Sequence, residues 1–477
     1  MRYKLLIADV FEAALADDPD REALVTRSGR YSYRELDERC AQAAWAFWSM
    51  GVRPGDRVGV SLPNDTEVVL AFHGLMRVGA VWVGINQNLA EPEKRYLLQD
   101  SGASIYLDDE RAWRDALHTA ERVDLPSVDP DALAAIAYTS GTTGRPKGAM
   151  HSQRTLLAPG TALVASRGYD ARLRKGDCFP FTILNLQVLT TLLVAQAGGC
   201  CVVMDRIDAE GVAEWIQRER VTTWNGPPAL LHSLVERDDV TREDLSSLEE
   251  VWTGGADCPE HLRERFAAKF GHQVLATYGL TEAPSVVTID ARDGTHRPGA
   301  SGRPLPHLSV EIVDGEICIG PADDGPWAGF YRPMLGYLDR PEATEEALAG
   351  GVLHSGDIGE LDAEGFLYVR ERKSLVIIRG GANVYPAEVE RVLSEAPGVA
   401  GCAVFGVADD RLGERVMAIV EPAPGATLDE GSLRAYCLEQ LARYKVPERI
   451  TVVGVIPRNA MGKVQRAPLP GLLDQQS

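Results

Sequence analysis

Short apolar runs alternate with amphipathic helical patterns along most of this chain, which restricts it to helices layered on sheets. Phe11 to Ala16 and Tyr33 to Met50 carry helical periodicity, and Arg57 to Leu62 is a β-rich run bounded by Gly55 and Pro63. Ala134 to Tyr138 is an apolar strand that runs into a glycine- and hydroxyl-rich segment. Further on, helices alternate with buried runs at Cys200–Met204, Val221–Trp224, Leu248–Trp252 and Gln273–Thr277. Residues 295–370 change character, with many Gly and Pro and short strands such as Ser309–Val313 and Gly315–Ile319. That composition predicts a β-rich subdomain, a distorted β-barrel. Beyond Tyr368 the charges Arg370, Glu371, Arg372 and Lys373 cluster and a new pattern begins. It comprises a strand at Leu375–Ile378, a helix opening at Pro386 and strands at 399–407 and 415–421. A helix with Leu433, Tyr436, Cys437, Leu441 and Tyr444 on one face follows, then a strand at Ile450–Ile456. The predicted fold class is α/β. A large N-terminal domain of layered α/β subdomains plus the barrel spans 1–371, and a small α+β C-terminal domain spans 376–477. A chain of 477 residues is long enough for about three such domains or subdomains.

Charge narrows the partners. The net charge of −20 repels phosphate backbones, so no nucleic-acid partner is expected. The eight cysteines are scattered without CxxC pairs and read as buried thiols in a reducing compartment. The nine histidines do not cluster, and zinc-ligand spacing is missing. The N-terminus lacks a signal-peptide pattern. The apolar stretch VVLAFHGLMRVGAVWVGI is interrupted by His73 and Arg77 and reads as a buried helix running into a buried strand, not a membrane span. The expected location is cytoplasmic.

The run YTSGTTGRPKG, Tyr138 to Gly148, has the chemistry of a polyphosphate cradle. Its glycines permit tight turns that expose backbone N–H groups. Thr139, Ser140, Thr142 and Thr143 supply hydroxyls, while Arg145 and Lys147 supply positive charge. It is not a Walker loop, because Gly148 and not Ser or Thr follows Lys147. The run resembles the signature loop of the adenylate-forming (AMP-binding) superfamily. That superfamily includes acyl- and aryl-CoA synthetases, peptide-synthetase adenylation domains and beetle luciferases. Further motifs recur in the expected order: TGGADCPE from Thr253, ATYGLTEA from Ala276, HSGDIGELD from His354, YVRERKSLVIIRGGANVYPAEVE from Tyr368 and PRNAMGKVQR from Pro457.

The resemblance implies ATP-dependent conversion of a carboxylic acid to an acyl-adenylate with release of pyrophosphate. Acyl transfer to the thiol of CoA then gives an acyl-CoA and AMP. Since two anions must meet, catalysis of this kind rests on charge stabilisation and alignment. By resemblance, Thr139, Ser140, Gly141, Thr142, Thr143, Gly144 and Lys147 wrap the β- and γ-phosphates. Thr281 contacts the α-phosphate and Glu282 binds Mg²⁺, a cation that prefers oxygen ligands. Gly254, Gly255 and Ala256 lie against adenine, Tyr278 stacks on it between Thr277 and Gly279, and Asp357 and Arg372 hold the ribose. Lys463 is the expected catalytic lysine, bridging the carboxylate and the α-phosphate oxygens. Gly380, Gly381 and Ala382 correspond to the segment that lines the pantetheine path, where a side chain at Gly381 would block passage. The family's small domain rotates between the two half-reactions, which places a hinge at 372–375 and makes the C-terminal domain mobile.

The sequence departs from the family pattern in two places. The usual Asp or Lys pivot is replaced by Ser374, followed by Leu375. In FPFTILNLQVL, Phe179 to Leu189, Ile183 stands where many relatives carry His, and no Asp is present to pair an α-ammonium. Ile183, Gln187 and Trp224 are the candidate acyl-pocket residues, and they point to a neutral aliphatic, alicyclic or aryl acid. The expected partners are that acid, ATP and CoA, with a homodimer and a lysine acetyltransferase acting on Lys463 as further candidates. The alternative activity keeps the adenylation step and uses an amine or a carrier-protein phosphopantetheine as acceptor.

Overall fold

The computed structural model describes residues 5–139, 146–255, 258–293, 295–379, 382–409, 411–458 and 464–473. The chain divides into two compact units. One comprises residues up to Glu311 together with Cys318–Ser355; the other comprises Ile312–Ile317 and Gly356 onward. The division falls ahead of the boundary expected near residue 371.

The first unit holds two large sheets clad in helices. Among the described residues, one sheet has six strands in the order Gly336–Tyr337, Lys147–Ser152, Leu133–Thr139, Val81–Gly84, Arg57–Val60 and Ile105–Leu107. The other has nine, running from Arg303–Pro304 at one edge through Ser285–Ile289, Val274–Leu280, Glu250–Thr253 and Thr223–Asn225. It continues through Arg174–Asp177, Cys200–Val203 and Glu22–Val25 to Arg30–Ser32. The middle strands of the nine pair in parallel, as helical crossovers require. The long apolar stretch is a buried helix, Thr66–Val78, feeding the buried strand Val81–Gly84. The Asp65 side chain caps the N-terminus of this helix, and Gly79 ends it at φ 78°. The helix Tyr33–Ser49 starts in a capping box between Ser32 and Glu35.

A buried ionic network ties the nine-stranded sheet to its surroundings. Glu250 accepts from Arg167 Nε at 2.8 Å, Tyr169 Oη at 3.0 Å and Trp252 Nε1 at 3.0 Å. Asp290 Oδ2 accepts from Arg263 Nη2 at 2.8 Å and from the Ala276 backbone N–H at 2.8 Å. Burial of such charges is tolerated because every one has partners.

Among the described residues, the β-rich stretch contributes a four-stranded sheet in the order Leu308–Val313, Glu316–Pro321, Leu353–Leu361 and Leu367–Arg372. The expected distorted barrel therefore resolves as a sheet with two edges.

In the second unit, Val399–Asp409 and Gly413–Pro422 form a long antiparallel pair. The period of two divides their side chains between two cores. Val404, Val416, Ala418 and Val420 face the helices Pro386–Ser394 and Glu430–Gln440, packing with Val389, Leu393, Leu433 and Cys437. Ala403, Phe405 and Ile419 face Ile456 and Leu469. The second helix ends sooner than its periodicity suggests, and Tyr444 is exposed beyond it. Leu441, at φ −126° and ψ 151°, is already extended and ends the helix. The last strand covers only Arg449–Val452. All eight cysteines are free thiols; Cys258 and Cys402 are half-buried and the others buried. Among the described residues no helix is long and apolar enough to cross a membrane.

Candidate active site

The phosphate-loop candidates sit at the ends of two paired strands. Thr139 closes Leu133–Thr139, Lys147 opens Lys147–Ser152, and the two residues face each other in antiparallel register. Ser140, Gly141, Thr142, Thr143 and Gly144 lie outside the described residues. Tyr138 belongs to the base of the loop: its Oη donates to Asp100 Oδ2 at 2.9 Å. Burial and the Asp100 carboxylate both push its phenol above the usual range. Tyr96 Oη donates to the Pro146 carbonyl at 3.0 Å and holds the other side of the loop.

Thr281 and Glu282 occupy the turn between Val274–Leu280 and Ser285–Ile289, where Leu280 pairs with Ser285. The turn is tight. Ser285 takes φ 88°, a conformation that costs a non-glycine residue energy and that recurs at functional sites. A Cβ on Gly279 would lie 1.9 Å from the Ser285 carbonyl oxygen, so glycine is required there. The Glu282 side chain is buried, and its Oε1 accepts from Tyr337 Oη at 2.7 Å. Lys147 Nζ lies 4.4 Å from the centroid of the same tyrosine ring. The fold thus brings Lys147 and Glu282 to one side chain, Tyr337, which the sequence reading did not single out. The only signal for it was its place after Gly336 in a short segment without periodicity.

The adenine-face candidates are also assembled locally. A Cβ on Gly254 would lie 2.1 Å from Thr277 Oγ1, and that hydroxyl donates to the Thr253 carbonyl at 2.9 Å. Gly254 is therefore small because the neighbouring strand needs the space. Gly255 has φ 77°, and Ala256 lies outside the described residues. Tyr278 is half-buried and Gly279 exposed, on either side of an irregularity in the strand pairing.

The acyl-pocket candidates are split. Ile183 is half-buried in a turn whose N–H donates to the Pro180 carbonyl at 2.9 Å. Gln187 is fully buried, and its Nε2 donates to the Phe181 carbonyl at 2.7 Å. It opens a π-helical stretch, Gln187–Leu192, a rare geometry that is frequent at functional sites. Trp224 lies on a separate central strand, fully buried, with its ring where a Cβ on Gly226 would fall.

The second unit gathers its own set. Asp357 and Arg372 oppose each other across an antiparallel pair, and Arg372 Nε lies 2.9 Å from Asp357 Oδ1. Asp357 is buried and Arg372 half-exposed, so a carboxylate and a guanidinium are held together at one strand end. Ala382 opens the strand Ala382–Val384; Gly380 and Gly381 lie outside the described residues. Lys463 does too, but the chain is anchored on both sides of it. Arg458 and Val464 form an antiparallel bridge, and Arg458 Nη1 lies 2.8 Å from Glu421 Oε2. Arg466 Nη2 donates to Glu390 Oε1 at 2.9 Å. Burial raises the Glu390 carboxyl above its ordinary value despite that partner.

A buried carboxylate at a strained turn near a lysine suits a metal–polyphosphate, because hard divalent cations take oxygen ligands. The other acidic group, Asp65, Glu67 and Glu110, is paired with Arg27 and Arg114 and reads as an ion-pair network.

Two layered sheets carry this turn, and a small α+β unit follows them in the chain. The chain belongs to the AMP-binding enzyme family, whose model matches residues 11–324, with the AMP-binding enzyme C-terminal domain matching residues 388–463. It is 33% identical over 469 residues to the long-chain-fatty-acid–CoA ligase FadD13 of Mycobacterium tuberculosis, covering 92% of each chain. It is 35% identical over 457 residues to a feruloyl-CoA synthase of an Amycolatopsis species, covering 91% of this chain and 92% of that one. ATP-bound MatB from Rhodopseudomonas palustris superimposes with a TM-score of 0.89 at 28% identity, over 98% of this chain and 99% of that one. The enzyme is an AMP-forming acid–thiol ligase: it activates a carboxylic acid as an acyl-adenylate and passes the acyl group to CoA.

Proposed function

We propose that the acid is a neutral aliphatic, alicyclic or aryl carboxylic acid and that the residues named above act as follows. A carboxylate oxygen attacks the α-phosphorus of ATP, the bond to the β-phosphate breaks, and pyrophosphate leaves. Lys147 and the loop that precedes it neutralise the β- and γ-phosphates, and Thr281 holds an α-phosphate oxygen. Glu282 would hold Mg²⁺, which would supply charge withdrawal from the phosphate oxygens. Asp357 and Arg372 orient the ribose. Lys463 bridges the attacking carboxylate and the α-phosphate, a duty suited to a flexible, strongly charged donor. A turn of the C-terminal domain, residues 376–477, about 372–375 then brings Gly380, Gly381 and Ala382 to the acyl-adenylate. The CoA thiolate attacks the acyl carbon, the carbon–oxygen bond to AMP breaks, and AMP leaves.

The observation that carries this reading is the buried Glu282 carboxylate held by Tyr337 with Lys147 on the same ring. FPFTILNLQVL carries no charge at all, neither an acid to pair an α-ammonium nor a base to pair a second carboxylate, which supports a neutral acid. The relatives named for a long-chain fatty acid and for ferulate span the aliphatic and aryl classes. A screen of carboxylic acids for ATP-dependent pyrophosphate release, with mass detection of the thioester formed with CoA, tests the assignment. Thioester with neutral acids is expected; turnover only with amino acids or dicarboxylates overturns it. Amide formation with an added amine, or loading of a carrier protein in preference to CoA, would instead favour the alternative acceptor. Lys463→Ala is expected to abolish pyrophosphate release while its melting curve stays that of wild type. Near-normal release would refute the lysine's role. A cytoplasmic location, a homodimer and acetylation of Lys463, which would remove its charge, complete the proposal.

A further inference from the structure

Tyr337 is held with unusual completeness for a residue in a two-residue strand. Gly336 before it takes φ 135°, and a Cβ there would lie 2.6 Å from Thr344 Cγ2, so only glycine lets the chain turn into this position. The Tyr337 N–H donates to Thr344 Oγ1 at 2.8 Å. On one side the segment pairs with the strand that follows the phosphate loop. Tyr337 faces Ala149, the Leu338 N–H donates to the Gly148 carbonyl at 2.8 Å, and the Leu335 N–H donates to the Met150 carbonyl at 2.7 Å. On the other side the Met334 N–H donates to the Glu282 carbonyl at 2.9 Å. The backbone thus stitches the base of the loop to the turn that carries Glu282, and the side chain repeats the connection. Its hydroxyl donates to Glu282 Oε1 at 2.7 Å, and its ring lies beneath the Lys147 ammonium at 4.4 Å.

We infer that Tyr337 is a positioning residue that couples the two charged groups at the triphosphate: its hydroxyl orients the Glu282 carboxylate for a divalent cation and its ring steadies Lys147. The inference rests on the proposed role of Glu282. A carboxylate oxygen has two lone-pair directions, so one O–H donor fixes the group and leaves acceptor capacity for a cation. A ring quadrupole attracts an ammonium without neutralising it, so Lys147 keeps its full charge for phosphate. A Glu or Asp at position 337 would hold the lysine more tightly but would cancel that charge and repel Glu282.

The two functions separate by substitution. Tyr337→Phe keeps the ring and removes the hydroxyl; Tyr337→Leu removes both. Calorimetric binding of ATP with and without Mg²⁺ reads each part, alongside the Mg²⁺ dependence of pyrophosphate release and a thermal melt. Tyr337→Phe is expected to bind metal-free ATP as wild type does. It should lose about tenfold in the gain that Mg²⁺ confers, the worth of one hydrogen bond to a charged group. Tyr337→Leu is expected to weaken metal-free ATP binding as well. A merely structural tyrosine would change the melt and both nucleotide forms together. Glu282→Gln is the reference. If it loses the Mg²⁺ gain while Tyr337→Phe keeps it with unchanged turnover, the coupling is overturned. If Glu282→Gln itself keeps the Mg²⁺ gain, the assignment of Glu282 falls and the inference with it.

Discussion

At the scale of single residues, the structure holds two kinds of buried polar group with opposite uses. Glu282 and Asp357 are carboxylates kept in place by named donors, Tyr337 and Arg372, where a nucleotide is expected. His73, His151 and His307 are the other kind: each is buried away from water, and burial depresses their imidazoles to about 3, 4 and 3. His307 lies against the rings of Trp327, Phe330 and Tyr331. In the unfolded chain a histidine accepts a proton near pH 6.5. The folded chain does not, until the pH nears the depressed value. Their contribution to stability is therefore complete above about pH 6.5 and is lost as pH falls through that window. His307→Phe should flatten this slope, reducing the loss of stability between pH 7.5 and pH 5 by about 2 kcal/mol. Urea titrations of both proteins at the two pH values measure the difference, and an unchanged slope would sink the explanation.

Among the elements, local chemistry and neighbouring strands share control. The helix Tyr33–Ser49 begins where Ser32 and Glu35 satisfy each other's backbone donors, a signal written in four consecutive residues. Ser32→Ala should cost about 1 kcal/mol in chemical denaturation without changing turnover. The site elements obey a different logic. Gly254 is small because Thr277 on the next strand approaches it, and Gly279 is small because Ser285 folds back over it. The sequence motif marks these glycines as special; the strand pairing supplies the reason. The second helix of the C-terminal unit shows the converse, for a helical pattern runs on to Tyr444 while the backbone is already extended at Leu441.

For the molecule as a whole, the proposed mechanism needs one active site to change partners between its half-reactions. The segment Lys373–Leu375 is a single tight turn between Leu367–Arg372 and Ile377–Arg379, short enough for a few dihedral angles to carry a reorientation. Ser374→Pro restricts Lys373 to extended backbone and should hinder the change. Pyrophosphate exchange should persist in that variant while thioester formation slows by about tenfold or more, as hindered conformational steps do. Equal loss of both half-reactions in single-turnover assays would count against a hinge at this place.

What the sequence determined by itself is the α/β alternation, the family, and the loop, turn and strand motifs that carry the charged residues, because periodicity and signature spacing are local properties. Tertiary structure alone decided which of those residues meet. Asp357 reaches Arg372 because two strands share a register, and Glu282 meets a tyrosine 55 residues away because a two-residue strand is pinned between the loop and the turn. Tyr337 has no periodicity and no distinctive composition around it. A contact made by sheet pairing leaves its mark on the backbone's path, and the order of residues along the chain does not record that path.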